Sequence, residues 1–519
     1  MPNSALELGL LTAATVAALF LAVLGLVGRK WRRLGRPPTP PGPKPSWFGL
    51  GSPDIPELSP WHRFTQWGKI YGDLIFYRAY GDPVLVINSA KIADDLLDKR
   101  SAIYSSRPIQ AMTMDLMGWD WSFVGMKYGD TWRRYRGLFQ KHFHSRVTQK
   151  YEPISAKGVQ TLLRHLNHTP NDFEQHLRRS AAALVMNISY GHDVTEDDDV
   201  YVTLVEKGMR TLGYAGVYGT YVVDYLPFLK HIPTWFPGAE FKRKAYEWRK
   251  LSQAMLEEPF EMVKQKIESG AATPCIVTRE LENSVHSGTE TDVRMIQSVA
   301  AVSYSGATMA ATMTFLLAMV LHPNIQRKAQ GEIDRVVGTD RLPSLDDRDK
   351  MPFIAHVIWE SLRWNPVAPL ALSHATVQDD IYEGYWIPKG TTIQPNVWGM
   401  LHDERRYPDS SKFKPERFED PKRNTDLGIN ELPLIAFGFG RRICPGRWVA
   451  LDNLWITIAS ILAVYNIAKA KDQHGNVIEP IAEFTTSLVS RPKPFKCVFI
   501  PRSERALALI EQTEDEHQD

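Results

Sequence analysis

The sequence predicts a mainly α-helical fold with small β-sheets, preceded by one transmembrane helix at the N-terminus. Three observations lead to this prediction. Apolar residues recur at helical spacing over long stretches, above all over residues 292–321 and 448–465. Runs typical of strands are short and are separated by turn residues. Residues 8–28 are apolar apart from two threonines, which is long enough to cross a bilayer.

Composition excludes some classes of protein and leaves others open. The 519 residues are 44% hydrophobic and 23% charged, as in an ordinary globular protein. A net charge of +2 gives no support for nucleic-acid binding. The three cysteines, Cys275, Cys444 and Cys497, are too few for a disulfide framework and indicate a reducing compartment.

The N-terminal region divides into an anchor and a connecting segment. The basic run at 29–33 follows the apolar stretch and predicts that the rest of the chain lies in the cytosol. A cleaved signal peptide is the alternative. Prolines at 37–43 predict a stiff, extended spacer. The expected organisation is therefore an anchor (1–28), a basic and proline-rich hinge (29–50), a main domain (51–505) and an acidic tail (506–519).

Local patterns predict the elements of the main domain in order. Residues 74–80 and 83–87 flank Gly81-Asp82 and predict a hairpin, followed by a helix over 90–99. The region 145–290 is mostly helical, and 292–321 predicts one long helix. Residues 380–390 predict a second hairpin.

One cysteine lies in an unusual loop, Phe437-Gly-Phe-Gly-Arg-Arg-Ile-Cys-Pro-Gly446. Its glycines allow the backbone to pass close to a bulky neighbour. The arginines and the start of the next helix favour the thiolate of Cys444, which makes it a nucleophile or a metal ligand. No second cysteine or histidine stands at zinc-site spacing, whereas haem iron needs only one protein thiolate.

The pattern Phe437-x-x-Gly440-x-Arg442-x-Cys444-x-Gly446 resembles the haem-binding signature of the cytochrome P450 family. Three further segments resemble motifs of that family and occur in its order. They are Trp132-x-x-x-Arg136, Glu360-x-x-Arg363 and Pro415-Glu-Arg-Phe418. The resemblance covers most of the chain and implies the cytochrome P450 fold, with 51–505 as the haem-thiolate catalytic domain.

The resemblance implies heme b as cofactor, with the thiolate of Cys444 as the iron ligand. Trp132 and Arg136 share one helix face and, with His374, are expected at the haem propionates. The alternatives are an exposed basic helix and a histidine with only a structural role. The residues expected at the cofactor are Trp132, Arg136, His374, Phe437, Gly438, Arg442, Cys444 and Gly446.

The predicted helix 292–321 resembles the one that crosses the distal haem face in this family. The acid and threonine usual there fall on Gly306 and Ala307. Ser305 and Thr308 are therefore the candidate catalytic residues, which would hold a water that delivers protons to bound O2. How protons reach O2 without the usual pair is left open.

Other segments have structural or peripheral roles by resemblance. Glu360, Arg363 and Arg417 are expected to form a structural ion cluster. The Met- and Trp-rich residues 109–126 would cover the substrate pocket, unless they are ordinary core. The loop 225–238 would dip into the membrane, unless it is a buried connector. The turn 484–488 would enter the pocket.

The implied function is a monooxygenase that inserts one oxygen atom of O2 into a lipophilic small molecule, in fungal secondary metabolism of terpenoid or polyketide-like compounds. Without a Gly-rich dinucleotide fingerprint in the sequence, electrons are expected from a separate NADPH–cytochrome P450 reductase. The implied location is the endoplasmic reticulum membrane, crossed once, with the catalytic domain cytosolic. Residues expected to face the reductase are Lys141, Arg441, Arg442 and Arg447.

Two other functions stay open from the sequence. One is a P450-fold isomerase or dehydratase that needs neither O2 nor NADPH, which the replaced acid and threonine would permit. The other is a non-enzymatic haem sensor, because Cys444-Pro445 also matches a short haem-regulatory pattern. Substrate identity, selectivity and oligomeric state are not predicted.

Overall fold

The computed structural model describes residues 35–44, 51, 53–56, 58–194, 198–287, 292–303, 307–420, 422 and 432–512. The predicted transmembrane helix at 8–28 and the second half of the acidic tail, residues 513–519, lie outside these residues. Ser305 and Gly306, which concern the proton path, lie outside them as well.

The described residues form many helices and a few short strands. The strands are β1 Leu74–Ala79, β2 Asp82–Ile87, β3 His374–Ala375, β4 Asp380–Tyr382, β5 Tyr385–Ile387, β6 Thr392–Pro395, β7 Tyr465–Lys469 and β8 Cys497–Pro501. The helices of the first half are α1 Pro60–Tyr71, α2 Ala90–Ala93, α3 Ser101–Tyr104, α4 Asp130–Phe143, α5 Glu152–His168, α6 Phe173–Tyr190, α7 Val200–Ala215 and α8 Glu240–Glu268. Those of the second half are α9 Ile276–Ser287, α10 Val293–Val302, α11 Ala307–Leu321, α12 Pro323–Val336, α13 Pro352–Trp364, α14 Val397–Leu401, α15 Leu432–Ile435, α16 Arg447–Val464 and α17 Glu504–Glu511.

The main core lies where α5, α11, α13 and α16 pack together. Helices α11 and α16 are apolar on all sides, as helices surrounded by protein must be. Within the described residues, α16 alone is both long and apolar enough to cross a membrane unbroken. However, 72% of it is buried inside the protein, which makes it a core helix.

A four-stranded sheet with the order β1-β2-β6-β3 closes one end of the domain. The predicted hairpin is confirmed: β1 and β2 pair antiparallel, with Leu74 opposite Ile87. The hairpin at 380–390 is confirmed by the antiparallel pair β4 and β5. The α16 helix and the short helical segment at 90–99 are confirmed as well.

The proline-rich segment lies on this end of the domain, unlike the spacer expected from its composition. The Pro38 carbonyl accepts a hydrogen bond from Trp386 N, and the Pro41 carbonyl accepts one from Phe76 N. Arg36 lies over the Trp386 ring at 4.6 Å. Segment 36–44 is therefore docked, because main-chain carbonyls of prolines remain good acceptors.

The helix expected over 292–321 agrees with the start of α10 at Val293 and the end of α11 at Leu321, and residues 304–306 between the two lie outside the described part of the chain. One predicted boundary was wrong. The boundary at 505/506 falls inside α17, whose Ile510 is fully buried. The folded domain therefore extends at least to Glu511, because the last turns of α17 complete the apolar core.

Candidate active site

The loop around Cys444 is held by its own backbone and by two arginines. Cys444 N donates to the Phe437 carbonyl at 2.8 Å, which closes the loop. Arg136 Nη2 donates to the Ile443 carbonyl at 2.6 Å, and Arg447 Nη1 donates to the Cys444 carbonyl at 3.1 Å. Gly446 then caps the N-terminus of α16. Cys444 is thus presented rigidly at a helix N-terminus.

Gly438 and Gly440 of this loop are required for different structural reasons. Gly438 has φ 88°, which other residues adopt only with strain. A Cβ on Gly440 would lie 2.1 Å from the Leu97 carbonyl oxygen. The close approach at Gly440 is therefore to the backbone of Leu97, rather than to a bulky neighbour as the sequence suggested. Phe437 packs against the main core.

Opposing influences act on the Cys444 thiol. Burial raises its pKa, while the Gly446 and Arg447 amides and the Arg136 and Arg447 guanidinium groups oppose that rise. The net direction is upward, so the cations alone do not favour the thiolate as the sequence suggested. A bound metal ion would favour the thiolate, since coordination deprotonates a thiol outright.

Three arginines and one histidine are buried beside this loop. Arg442 Nε donates to the Ser105 carbonyl at 2.8 Å and Nη2 donates to the Met126 carbonyl at 2.7 Å. The Arg442 guanidinium lies 4.2 Å from the centre of the Trp132 ring. His374 Nδ1 lies 2.9 Å from the Tyr104 carbonyl, and therefore donates to it. Trp132, Arg136, His374 and Arg442 thus meet as the sequence predicted, and the alternative of an exposed basic helix is wrong for Trp132 and Arg136.

Arg107 is the third arginine of this cluster, and the sequence did not predict it. Its Nη1 donates to the Leu372 and Ser373 carbonyls at 2.8 Å, and its Nε donates to the Val124 carbonyl at 3.0 Å. No periodicity or motif marks it, because its partners lie up to 266 residues away in sequence. The structure alone shows that it belongs to the site.

The cluster carries positive charge without a matching carboxylate. No acidic side chain among the described residues pairs with Arg107, Arg136 or Arg442, and Arg442 Nη1 is buried without a partner. Burial and the Arg107 and Arg136 guanidinium groups lower the pKa of Arg442 to about 8. Burial and the charges of Arg107 and Arg442 lower that of His374. Uncompensated buried cations are costly, so the cluster fits a dianionic group such as the two propionates of haem.

The other two cysteines do not fit a ligand role. Cys275 and Cys497 are buried in hydrophobic clusters. Burial raises the pKa of Cys497 to about 12. Cys444 is the only cysteine with cations beside it, and the chain has no more than these three.

Behind the loop, Glu360 is fully buried and both its oxygens are satisfied. Arg363 binds it with two bonds, Nε to Oε2 at 2.7 Å and Nη2 to Oε1 at 2.9 Å. Arg417 Nε adds a bond at 3.0 Å, and Lys414 N donates at 2.7 Å. The remaining arginine donors reach main-chain carbonyls, including those of Leu401 and Ser410. The predicted structural cluster is confirmed, and its buried charges are compensated.

Thr308 lies in the first turn of α11 and is partly buried. Its carbonyl accepts a hydrogen bond from Thr312 Oγ1 at 3.0 Å. Ser303, at the end of α10, donates to the Ala300 carbonyl and contacts Ser189 Oγ at 2.6 Å. The Ser303 hydroxyl is therefore engaged with α6 and α10.

The side chains of residues 109–126 are mostly packed in core, as the alternative considered from sequence predicts. Met112, Met117, Trp119 and Trp121 are buried and pack against α7 and α8. Trp121 Nε1 donates to Ser252 Oγ at 3.0 Å. The segment still adjoins the candidate site, because its Val124 and Met126 carbonyls bind the cation cluster.

Comparison with known proteins identifies the family. The Cytochrome P450 family model matches residues 40–499. The chain belongs to the cytochrome P450 family. It is 39% identical over 483 residues to a cytochrome P450 monooxygenase of Armillaria gallica, covering 92% of this chain and 94% of the relative. It is 40% identical over 493 residues to cytochrome P450 monooxygenase 98 of Postia placenta, covering 93% and 94%.

A third relative has a named substrate. Tryptamine 4-monooxygenase of Psilocybe cyanescens is 36% identical over 488 residues, covering 93% of this P450 and 96% of the relative. The enzyme is a cytochrome P450 monooxygenase, and its family uses haem with a cysteine thiolate as axial ligand. Members of the family use O2, an organic substrate and a redox partner.

Proposed function

We propose that Cys444 supplies the thiolate ligand of the haem iron and that the buried cation cluster binds the propionates. The observation that carries this is the group of buried cations beside Cys444, with Arg442 Nη1 unpartnered. Trp132, Arg136, His374 and Arg442 would hold the propionates as predicted, and Arg107 joins them. His374 already donates through Nδ1, so it donates a second bond through Nε2 only as imidazolium, a form that an adjacent anion favours.

The reaction we propose is insertion of one oxygen atom of O2 into a lipophilic small molecule in secondary metabolism. Haem ligated by thiolate supplies O2 activation, because the thiolate's electron density favours O–O cleavage. The chain's own residues hold the cofactor, exclude water and deliver protons. Thr308 and Ser305 are the proposed holders of the water that delivers them. The apolar, aromatic surroundings of segment 109–126 support a neutral, lipophilic substrate.

We propose NADPH–cytochrome P450 reductase as the electron donor. Arg441 is exposed near the Cys444 loop and Arg447 is partly exposed, so both are available to an acidic partner. Arg442 is buried and cannot contribute, contrary to the prediction from sequence. Lys141 is exposed but is paired with Glu280 at 2.7 Å.

The location we propose is the endoplasmic reticulum membrane, with residues 8–28 as the single anchor and the catalytic domain cytosolic. A second contact is supported by exposed apolar side chains in the loop 225–238. Phe228 is 64% exposed, Trp235 77% and Phe236 47%. Exposed aromatic residues of this kind suit a membrane interface, and their exposure disfavours the buried-connector alternative.

The decisive test is turnover with purified enzyme, an external reductase, NADPH and a panel of lipophilic compounds preselected by their Soret shifts. Product formation that requires NADPH and O2 supports the proposal. Turnover without either would establish an isomerase or dehydratase instead. Absence of turnover, together with haem-dependent binding of a macromolecule, would establish a sensor.

The proton path is tested by the ratio of product to NADPH consumed. Thr308→Val and Ser305→Ala should each raise release of hydrogen peroxide, because loss of the hydroxyl removes a holder of the proton-delivering water. Gly306→Asp with Ala307→Thr should lower it. Thr314→Val is the matched control, because the Thr314 hydroxyl is engaged by the Ala310 carbonyl and Asn365. An unchanged ratio in both hydroxyl variants would assign the relay to other residues.

A further inference from the structure

Two segments with short helical turns meet at one buried carboxyl group. The first, residues 111–117, contains the helical turn Ala111–Leu116, and the second, residues 222–231, contains Val222–Asp224 and Pro227–His231. Asp224 is only 2% exposed. Its Oδ1 accepts a hydrogen bond from Met112 N at 3.0 Å, while its Oδ2 is buried without a partner. This carboxyl group is therefore the buried link between the turns.

The other polar links between these regions are closer to solvent. Lys230 Nζ lies 2.7 Å from Asp115 Oδ2, with both side chains partly exposed. Gln110 Nε2 donates to the Gly216 carbonyl at 3.3 Å. Exposed ion pairs contribute little, whereas a buried carboxyl bound to a backbone amide contributes more. Asp224 is thus placed to decide whether the turns stay together.

The 111–117 turn continues directly into a wall of the candidate haem site. The Val124 and Met126 carbonyls accept hydrogen bonds from Arg107 and Arg442. The Trp121 carbonyl accepts one from Ser298 on α10 at 2.6 Å. Hydrogen bonds to the cation cluster fix the segment at Val124 and Met126, and Asp224 fixes it at Met112.

We propose that Asp224 is a positioning residue that holds turn 222–231 on turn 111–117 and thereby sets how fast a lipophilic ligand reaches the haem. This rests on the haem site proposed above. When the turns are docked, the apolar interior beneath residues 112–121 is covered. When they separate, the path to it opens. Small gases need no such opening, because they pass through fluctuations that a bulky ligand cannot use.

The geometry makes this docking depend on pH. Burial raises the pKa of Asp224 to about 7, against the opposing amides of Met112 and Gly219. An aspartate in water has a pKa of about 3.9, so protonation favours the docked state. That stabilisation is complete below about pH 4 and is lost as the pH rises to about 7. Groups that face Asp224 or its immediate neighbours are Asp115, Tyr218, Tyr221, Tyr225, Lys230, Glu240 and Lys244.

The experiment measures ligand entry by stopped flow on the full-length holoenzyme in lipid nanodiscs. The probe is tebuconazole, a lipophilic triazole that binds ferric haem and stays uncharged between about pH 5.5 and pH 8.5. Its association rate should rise at least about threefold as the pH rises to about 7, then level off. Asp224→Asn, which keeps an acceptor for Met112 N, should be slow and independent of pH. Asp224→Ala, which loses the acceptor, should be fast and independent of pH.

Two controls separate this role from a general structural one. Asp115→Asn removes the exposed ion pair with Lys230 and should keep the shape of the pH profile, with its midpoint moved to slightly lower pH because the Asp115 charge helps to raise the pKa of Asp224. Carbon monoxide association with the ferrous enzyme should be the same in all variants. A flat pH profile in the wild type, or a wild-type profile in Asp224→Asn, would overturn the proposal. These outcomes need no turnover, so they are distinct from failure of the monooxygenase assay, and they stand even where Asp224→Ala fails to fold.

Discussion

The thiolate side of this P450, around Cys444 and Glu360, and its proposed cover, turns 111–117 and 222–231, differ in how they treat a buried carboxyl group. Glu360, behind the Cys444 loop, receives hydrogen bonds from two arginines and a backbone amide. Asp224, in the cover, has one oxygen bound to an amide and one buried without a partner. The fully bonded carboxylate of Glu360 resists structural change, whereas the carboxyl group of Asp224, with one unpartnered oxygen, can respond to a change in its surroundings.

This difference follows from what each region must do. The thiolate side positions a cofactor, which requires fixed geometry and complete hydrogen bonding. The cover, by our proposal, admits a ligand, and regions that move are drawn from the less stable parts of a fold.

Cys444→Ala should abolish the reduced carbon monoxide band near 450 nm that marks thiolate ligation, because no other cysteine lies beside the cation cluster. The measurement is a difference spectrum of dithionite-reduced membranes. Cys497→Ala is the control and should keep the band, since Cys497 is buried in the main core. Retention of the band in Cys444→Ala would refute the ligand assignment.

The thiolate side was largely predictable from sequence, because its residues stand in short motifs with fixed spacing. Glu360 and Arg363 lie three apart on α13, and Trp132 and Arg136 lie four apart on α4. Arg107 escaped prediction because its partners are distant in sequence. The role of Gly440 was misjudged, because a glycine pattern shows that close approach is needed and not which group approaches.

The link between the two turns at Asp224 could not be predicted in the same way. Residues 217–231 carry no motif, and their short helical turns depend on tertiary contacts. Asp224 is three residues from Pro227 in a sequence that favours a loop, so its burial could not be foreseen. The docking of the proline-rich segment was missed for a related reason, since composition predicts stiffness but not the surface that a stiff segment meets.

Glu360→Gln should destabilise the domain by about 3 to 5 kcal/mol, because it leaves Arg363 and Arg417 buried without a counter-charge. The free energy of unfolding from urea titration measures this. Glu416→Gln is the control from the same neighbourhood. It breaks only a partly exposed pair with Lys328 and should cost less than about 1 kcal/mol. Equal losses in the two variants would contradict the assignment of Glu360 as the centre of the cluster.

Gly42→Ala tests whether the proline-rich segment 36–44 is held rigidly on the domain, as the thiolate side is. A Cβ there would lie 2.0 Å from the Phe76 carbonyl oxygen, so the segment must move off the sheet. We expect a loss of about 1 to 3 kcal/mol and faster proteolysis within residues 35–44. Gly331→Ala, in the exposed face of α12 with open space around it, should instead stabilise by up to about 1 kcal/mol. Unchanged stability and unchanged proteolysis in Gly42→Ala would show that the segment is an undocked spacer, as its composition suggested.

The smallest expected effect on stability is that of Glu280→Gln. The stability that Glu280 contributes depends on pH with the opposite sign to the contribution of Asp224, which sharpens the comparison. Burial alone would raise the pKa of Glu280, but hydrogen bonds from His142 and Lys141 outweigh it and lower the pKa to about 2. A lowered pKa contributes stability that is present above about pH 4.5 and is lost as the pH falls toward 2. Glu280→Gln should therefore cost about 1 kcal/mol at pH 7, and this cost should shrink as the pH falls below about 4.5. Urea midpoints across that range measure it, with Glu257→Gln, on the exposed face of α8, as the unchanged control. A cost that stayed constant with pH would show that Glu280 joins α4 to α9 through packing and not through its charge. Compensated charge would then stabilise the thiolate side at Glu360 but not at Glu280.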